Sequence, residues 1–185
     1  KCNLSTMKFI VSSSALLKPI EQIAGVINPK SVLPILDYFL FDLKKGRLTV
    51  SATDLETSMT TVVNVESNAD GKIAVPSKIM LETLKALPEQ PITFNADTDT
   101  LNIEIVTDSG RYKLSGQKPD DFPKMPKVES ASSISVKAAS LGNAISKTIF
   151  ATGTDEMRQA LTGVLFELKK DGINFVATDA NRLVR

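Results

Sequence analysis

Histidine is absent from the 185 residues. The commonest general base and the commonest metal ligand at neutral pH are therefore both missing. Cysteine occurs once, at Cys2, so no internal disulfide, zinc cluster or Cys–His couple can be built. Tryptophan is also absent and aromatics make up only 5%. A surplus of charge is missing too: 22 basic against 21 acidic residues leave a formal +1. That excludes a protein that simply coats nucleic acid, while a local basic face remains open. No apolar run reaches the ~18 residues of a membrane span. These absences predict no catalytic residue, no metal and no cofactor. The single cysteine agrees with a reducing, cytoplasmic compartment. What is present, 42% hydrophobic and 23% charged residues, suffices for an ordinary core. The polar KCNLST precedes Met7, so residues 1–6 read as a leader.

The strongest feature is internal. LDYFLFDLKKGRLTVSATD (36–54) aligns without gaps on LTGVLFELKKDGINFVATD (161–179), at an offset of 125 residues. Nine of the 19 positions are identical, among them Phe41/Phe166, Leu43/Leu168 and Asp54/Asp179. The same offset pairs Val11 with Val136, Leu16 with Leu141 and Ile20 with Ile145. Agreement at one fixed offset signals duplicated domains. A weaker echo relates residues 8–23 to 72–87, at an offset of 64. Each version reads as a short alternating run, a serine turn and a helix. Leu16, Leu17, Ile20, Ile23, Ala24 and Ile27 share one stripe; Met80, Leu81, Leu84 and Leu87 share another before Pro88. Ser14 and Ser77 are the expected helix caps.

Strands are expected over 35–43, 47–53 and 57–65, with KKGR (44–47) as a hairpin turn, and over 91–96, 100–106 and 111–116. The first domain is then a strand–helix–strand–strand–strand unit used twice, an α+β arrangement with two helices against two sheets. KPDDFPKMPKVESASS (118–133) has no period and reads as a connector. The expected layout is a leader (1–6), a first domain (7–124), a linker (125–131) and the first half of a second domain (132–185). By the period that second domain would run to about residue 250. The natural protein is accordingly expected to continue past Arg185.

MKFIVSSSALLKPIEQIAGVI with LPILDYFLFDLKKGRLTVSATDLE resembles the amino terminus of the bacterial DNA polymerase III beta subunit, the replication sliding clamp. VPSKIMLETLKALP, SGRYKLSG, PDDFPKMP and LTGVLFELKKDGINFVATDANRLVR continue the likeness. The resemblance implies three similar domains per subunit and a head-to-tail ring of two subunits. Helices would line a hole around duplex DNA, with antiparallel sheets outside. It implies a non-enzymatic processivity factor bound by the polymerase III alpha subunit, the clamp loader and other proteins carrying clamp-binding motifs, with no membrane association.

Sequence-independent sliding needs mobile cations near phosphate. Lys18, Lys78, Lys85 and Lys147 lie on the helical segments, with Lys30 in a loop and Lys137 before the third helix, against Glu21 and Glu82. Lys18, Lys30, Lys78, Lys85 and Lys147 are the candidate DNA-facing residues; their bland reading is a solvated helix face. The resemblance singles out Lys18 and Lys30. It also places Leu161, Thr178, Ala180, Asn181, Arg182 and Leu183 in a cleft for partner peptides, with Ala180 where glycine is usual and Asn181 where an aromatic or histidine is common. Leu161 and Leu183 as plain core residues is the alternative. Arg111, Tyr112, Lys113 and Leu114 would form the subunit-contact edge, or else an ordinary edge guarded by charge. Asp54 and Asp179 could suggest a hydrolase, but their recurrence at the domain period marks them as turn residues. A duplicated scaffold without DNA contact is the rival from another class.

Overall fold

A computed structural model describes residues 6–27, 31, 33–124 and 134–185, without the side chain of Glu156. Cys2 with residues 1–5, Lys30 and the expected linker lie outside the described residues. The chain divides into two compact units, 1–127 and 128–185.

In the first unit, alternation writes the strands. Met7, Phe9 and Val11 of β1 (Thr6–Ser12) are buried, while Lys8 and Ile10 face outward. Helical spacing takes over in α1 (Ser13–Ala24), which buries Leu16, Ile20 and Ile23. The meander β2 (Tyr38–Lys44), β3 (Arg47–Thr53) and β4 (Ser58–Asn64) follows, then short β5 (Glu66–Ala69). The second half repeats the plan in β6 (Gly71–Pro76), α2 (Ser77–Ala86), β7 (Pro91–Asp97), β8 (Asn102–Thr107) and β9 (Gly110–Ser115). The β2–β3 turn uses Lys45 and Gly46, both at positive φ (49° and 74°), the backbone of a two-residue hairpin.

The sheets do not follow the halves. One runs β5-β1-β7-β8-β9 and the other β4-β3-β2-β6. The first strand of each half leaves its own meander and adds to the other's: β1 pairs with β7, setting Phe9 opposite Phe94, and β6 pairs with β2, setting Ile73 opposite Phe41. Phe9 stacks on Phe94 at 4.8 Å between centroids, and Phe41 from the other sheet lies 5.5 Å from Phe94. Such ring pairs contribute about 0.5–1.5 kcal/mol each beyond their buried area. Gly71 marks the tightest crossing: a Cβ there would stand 2.7 Å from the Cβ of Met7.

The serines correct the capping expectation. The N-cap positions are Ser12 and Pro76, and neither makes a side-chain cap. Ser13 and Ser77 open the helices, are buried, and bond across the interlock. Ser13 Oγ donates to the Pro88 carbonyl at 2.9 Å, and Ser77 Oγ to the Asp37 carbonyl at 2.6 Å. A buried hydroxyl needs an acceptor, and each finds one shortly before the other half's first meander strand, Asp37 directly before β2 and Pro88 three residues before β7. Ser14 reaches Glu89 instead, at 2.9 Å.

Three further expectations change. Residues 34–37 form a 3₁₀ turn led by Pro34, so β2 begins at Tyr38. The added strand β5 carries the chain from one sheet to the other, pairing with β1. Residues 118–124 are not a free connector. Gln117 exchanges both backbone hydrogen bonds with Ala74 of β6, and Phe122, only 4% exposed, closes over the face of β2 and β3 that carries Leu40, Thr49 and Ser51.

The second unit holds α3 (Ala138–Ser146), β10 (Leu165–Lys169), β11 (Gly172–Thr178) and β12 (Leu183–Val184). Its register repeats the first at the same offset: Phe41 opposes Val50 and Phe166 opposes Phe175, while Leu43 opposes Leu48 and Leu168 opposes Ile173. The alternating run at 134–137 forms no strand, because the described residues contain no counterpart of β7 to pair with it.

Phe122→Ala is expected to destabilise the first unit by about 3 kcal/mol, measured by urea unfolding. A loss below about 0.5 kcal/mol, the usual range for a surface substitution, would mean that the segment after β9 is the loose connector its composition suggests.

Candidate functional site

The Thr–Asp pairs repeat in hydrogen-bond detail. Thr53 Oγ1 donates to the Thr57 carbonyl and accepts from Leu55 N–H, while Asp54 Oδ1 accepts from the N–H groups of Glu56 and Thr57. In the second unit Thr178 Oγ1 donates to the Arg182 carbonyl and accepts from Ala180 N–H, and Asp179 Oδ1 accepts from Asn181 and Arg182. Both carboxylates organise a turn. Leu55 and Ala180 each take the left-handed conformation, with φ of 81° and 77°. That accounts for the expectation of glycine at position 180, since a side chain costs about 1–2 kcal/mol there. The Arg182 and Asn181 amides hold the Asp179 carboxyl below its ordinary 3.8, against partial desolvation and with help from the Arg182 charge.

Beside this turn is a groove of about 290 Å³ lined by Gly153, Asp155, Arg158, Leu161, Asp179 and Arg182, among others. Two ion pairs frame it: Arg158 to Asp155 and Arg182 to Asp179, each at 2.9 Å. The Arg182 guanidinium also lies 5.8 Å from the centroid of the Phe150 ring, within cation–π reach. Gly153 N–H donates to the Leu161 carbonyl at 2.7 Å, fixing the wall that carries Leu161. Of the six expected cleft residues, Leu161 and Arg182 line the groove. Thr178 holds the turn behind it, Ala180 and Asn181 form the turn, and Leu183 stands exposed at the start of β12. Asp155 and Arg158 escaped the sequence reading. Their acid–base spacing of three residues was the available signal. A mostly polar groove with one leucine, Leu161, and two guanidinium groups held by carboxylates can receive an extended chain with an apolar side chain beside Leu161.

The candidate DNA-facing lysines divide between the units. In the first, α1 and α2 pack side by side, and Lys18, Lys78 and Lys85 are all exposed on them. Lys85 Nζ, however, lies 3.0 Å from Glu21 of α1, so its charge is partly spent between the helices. With Glu82 one turn from Lys78, the pair of helices presents three cations and two anions on these positions. In the second unit Lys137 and Lys147 are exposed at the two ends of α3.

Arg111, Tyr112, Lys113 and Leu114 lie in β9, an edge of the five-stranded sheet. Tyr112 opposes buried Ile105, and Leu114 opposes buried Ile103 and packs on the core. Leu114 therefore completes its own unit first. Arg111 and Lys113 point to the other face, where Arg111 reaches Glu104 at 3.7 Å.

A duplicated α+β domain with interlocked halves, followed by a second unit with the same strand register, defines a clamp-type fold. The family model for the amino-terminal domain of the DNA polymerase III beta subunit matches residues 7–126, and that for its central domain matches 135–185. The beta sliding clamp of Vibrio cholerae is 32% identical over 179 residues, covering 96% of this chain and 48% of that protein. The crystal structure of the Pseudomonas aeruginosa sliding clamp bound to griselimycin superposes with a TM-score of 0.89 at 29% identity over 96% of this chain and 48% of that one. That of the Thermotoga maritima beta subunit gives 0.86 at 32%, over the same shares of the two chains. The chain belongs to the DNA polymerase III beta subunit family, the beta sliding clamps, and spans about half the length of the relatives it matches.

The turn makes a pH-dependent contribution. A carboxyl held below 3.8 in the fold stabilises it above that value, and the contribution is lost as pH falls through the folded pKa. The Asp179 carboxyl, followed by ¹³C NMR, is expected to titrate below 3.8. A midpoint at or above that value would mean that the turn's amides do not hold the charged form.

Proposed function

We propose that this chain contributes the first domain and part of the second to a sliding clamp: a ring that surrounds duplex DNA without reading its sequence and tethers the replicative polymerase. The observation that supports it most is the agreement of both units, in family and in fold, with clamp domains. On this reading two full-length subunits pair head to tail, with β9 and Arg111, Tyr112, Lys113 and Leu114 at the contact. The polymerase III alpha subunit, the clamp loader and other motif-bearing proteins dock at the groove by Leu161 and Arg182. The chain performs no chemistry of its own and works in the cytoplasm.

The mechanism is topological, and its electrostatics are deliberately mild. Lys18 and Lys78 on neighbouring helices offer long, rotatable ammonium groups to phosphate, while Glu21 and Glu82 keep the face from gripping. Contacts of that kind carry no base information and weaken as salt rises. Lys85 contributes less, because Glu21 engages it.

The same balance of charge favours the second reading, a duplicated scaffold that never meets DNA. A titration of the chain with linear duplex at low salt separates the two. The clamp reading expects weak binding that falls about 10–50-fold between 50 and 200 mM salt. Charge reversal at Lys18 and Lys78 should weaken it further, whereas reversal at Lys44 and Lys45 on the β2–β3 hairpin should not. Equal effects of the two pairs, or none, would leave the scaffold.

A further inference from the structure

One ion pair crosses from α1 to α2: the Glu21 carboxylate lies 3.0 Å from Lys85 Nζ. Each partner has an opposite charge one turn away on its own helix, Lys18 for Glu21 and Glu82 for Lys85. The pair nevertheless forms between the helices, so their packing sets it. Both side chains stay in contact with solvent, Glu21 44% and Lys85 58% exposed. An exposed pair of this kind is held weakly and is open to exchange. Lys85 also sits in the last turn of α2, where the helix C-terminus favours a cation.

We infer that Glu21 is a positioning residue that limits how long Lys85 holds a phosphate. The inference rests on the proposed clamp reading and deepens it. A backbone phosphate and the Glu21 carboxylate are both anions that accept charge-assisted hydrogen bonds from an ammonium, so they compete for Lys85. When Lys85 turns to a phosphate, Glu21 loses its counter-charge beside that same phosphate. The two anions then repel, and the repulsion favours return of Lys85 to Glu21. The contact forms on approach and undoes itself. A protein that moves along DNA needs such a contact; one that grips DNA does not. Lys18 and Lys78 differ in this respect, since neither forms an ion pair across the two helices among the described residues. Lys85 is therefore a phosphate contact held in check, and Glu21 sets the strength of the check.

Titration with linear duplex at 50 and 200 mM salt tests it, using the unaltered chain, Glu21→Gln, Lys85→Ala and the double variant. Circular dichroism checks that each folds. Glu21→Gln is expected to tighten binding at least about threefold at the lower salt. It should also enlarge the fall on going to the higher salt by a further ~3–4-fold, the increment of one added phosphate contact. Lys85→Ala should abolish both gains in the Glu21→Gln background, and so weaken binding more there than in the unaltered chain. A Glu21→Gln gain that survives Lys85→Ala would mean that Glu21 acts by general repulsion, and no gain at all would mean that it does not restrain Lys85. Either result overturns the inference while the clamp reading stands. If neither the unaltered chain nor any variant binds duplex at the lower salt, the clamp reading falls and the inference with it.

Discussion

The rest of the first unit depends on an exchange of strands. Neither half can complete a sheet alone: β1 belongs to the meander of the second half and β6 to that of the first. The exchange brings Phe9, Phe41 and Phe94 from two sheets into one aromatic core. It brings α1 and α2 together, and it gives Ser13 and Ser77 acceptors on the opposite half. Long-range pairing of this kind costs loop-closure entropy before any contact forms. It then makes the two halves one cooperative body, because opening either ladder exposes the same core.

The second unit shows the same chemistry without the exchange. Phe41 and Leu43 are fully buried, while their counterparts Phe166 and Leu168 are 47% and 60% exposed, although strand pairing is identical. Local sequence therefore sets the hairpin and its register, whereas burial comes from the partner half. Among the described residues of the second unit, no strand takes the place of β6 and no helix that of α2. The Thr–Asp turn needs no such partner, since its bonds are all local, and it is reproduced in full. Its stability against acid follows from those same local amides.

Much of this was legible in the residues. The 125-residue period gave the duplication and even the strand register, since Leu36 to Asp54 and Leu161 to Asp179 carry the same pattern. The helical stripes predicted α1 and α2. What pattern could not carry was who pairs with whom: alternation in residues 8–12 and 72–76 identifies strands without naming their partners. Ser14 and Ser77 looked like caps because capping is local, and their actual acceptors, Glu89 and the Asp37 carbonyl, lie far along the chain. Phe122 sits in a stretch of proline and charge that has no period, so its burial was invisible. At the groove, Leu161 and Arg182 were accessible through resemblance, while Asp155 and Arg158 came together only with the fold. The DNA-facing lysines were readable as positions, but the pairing of Lys85 with Glu21 depends on two helices meeting.

Native-state hydrogen exchange measures the interlock most directly. The amides of the β1–β7 ladder around Phe9 and Phe94, and those of the β2–β6 ladder around Phe41 and Ile73, are predicted to open in a single event, with equal free energy and equal denaturant dependence. If one ladder opened at a free energy lower by about 2 kcal/mol or more, it would behave as a separate cooperative unit, and the halves would not hold each other.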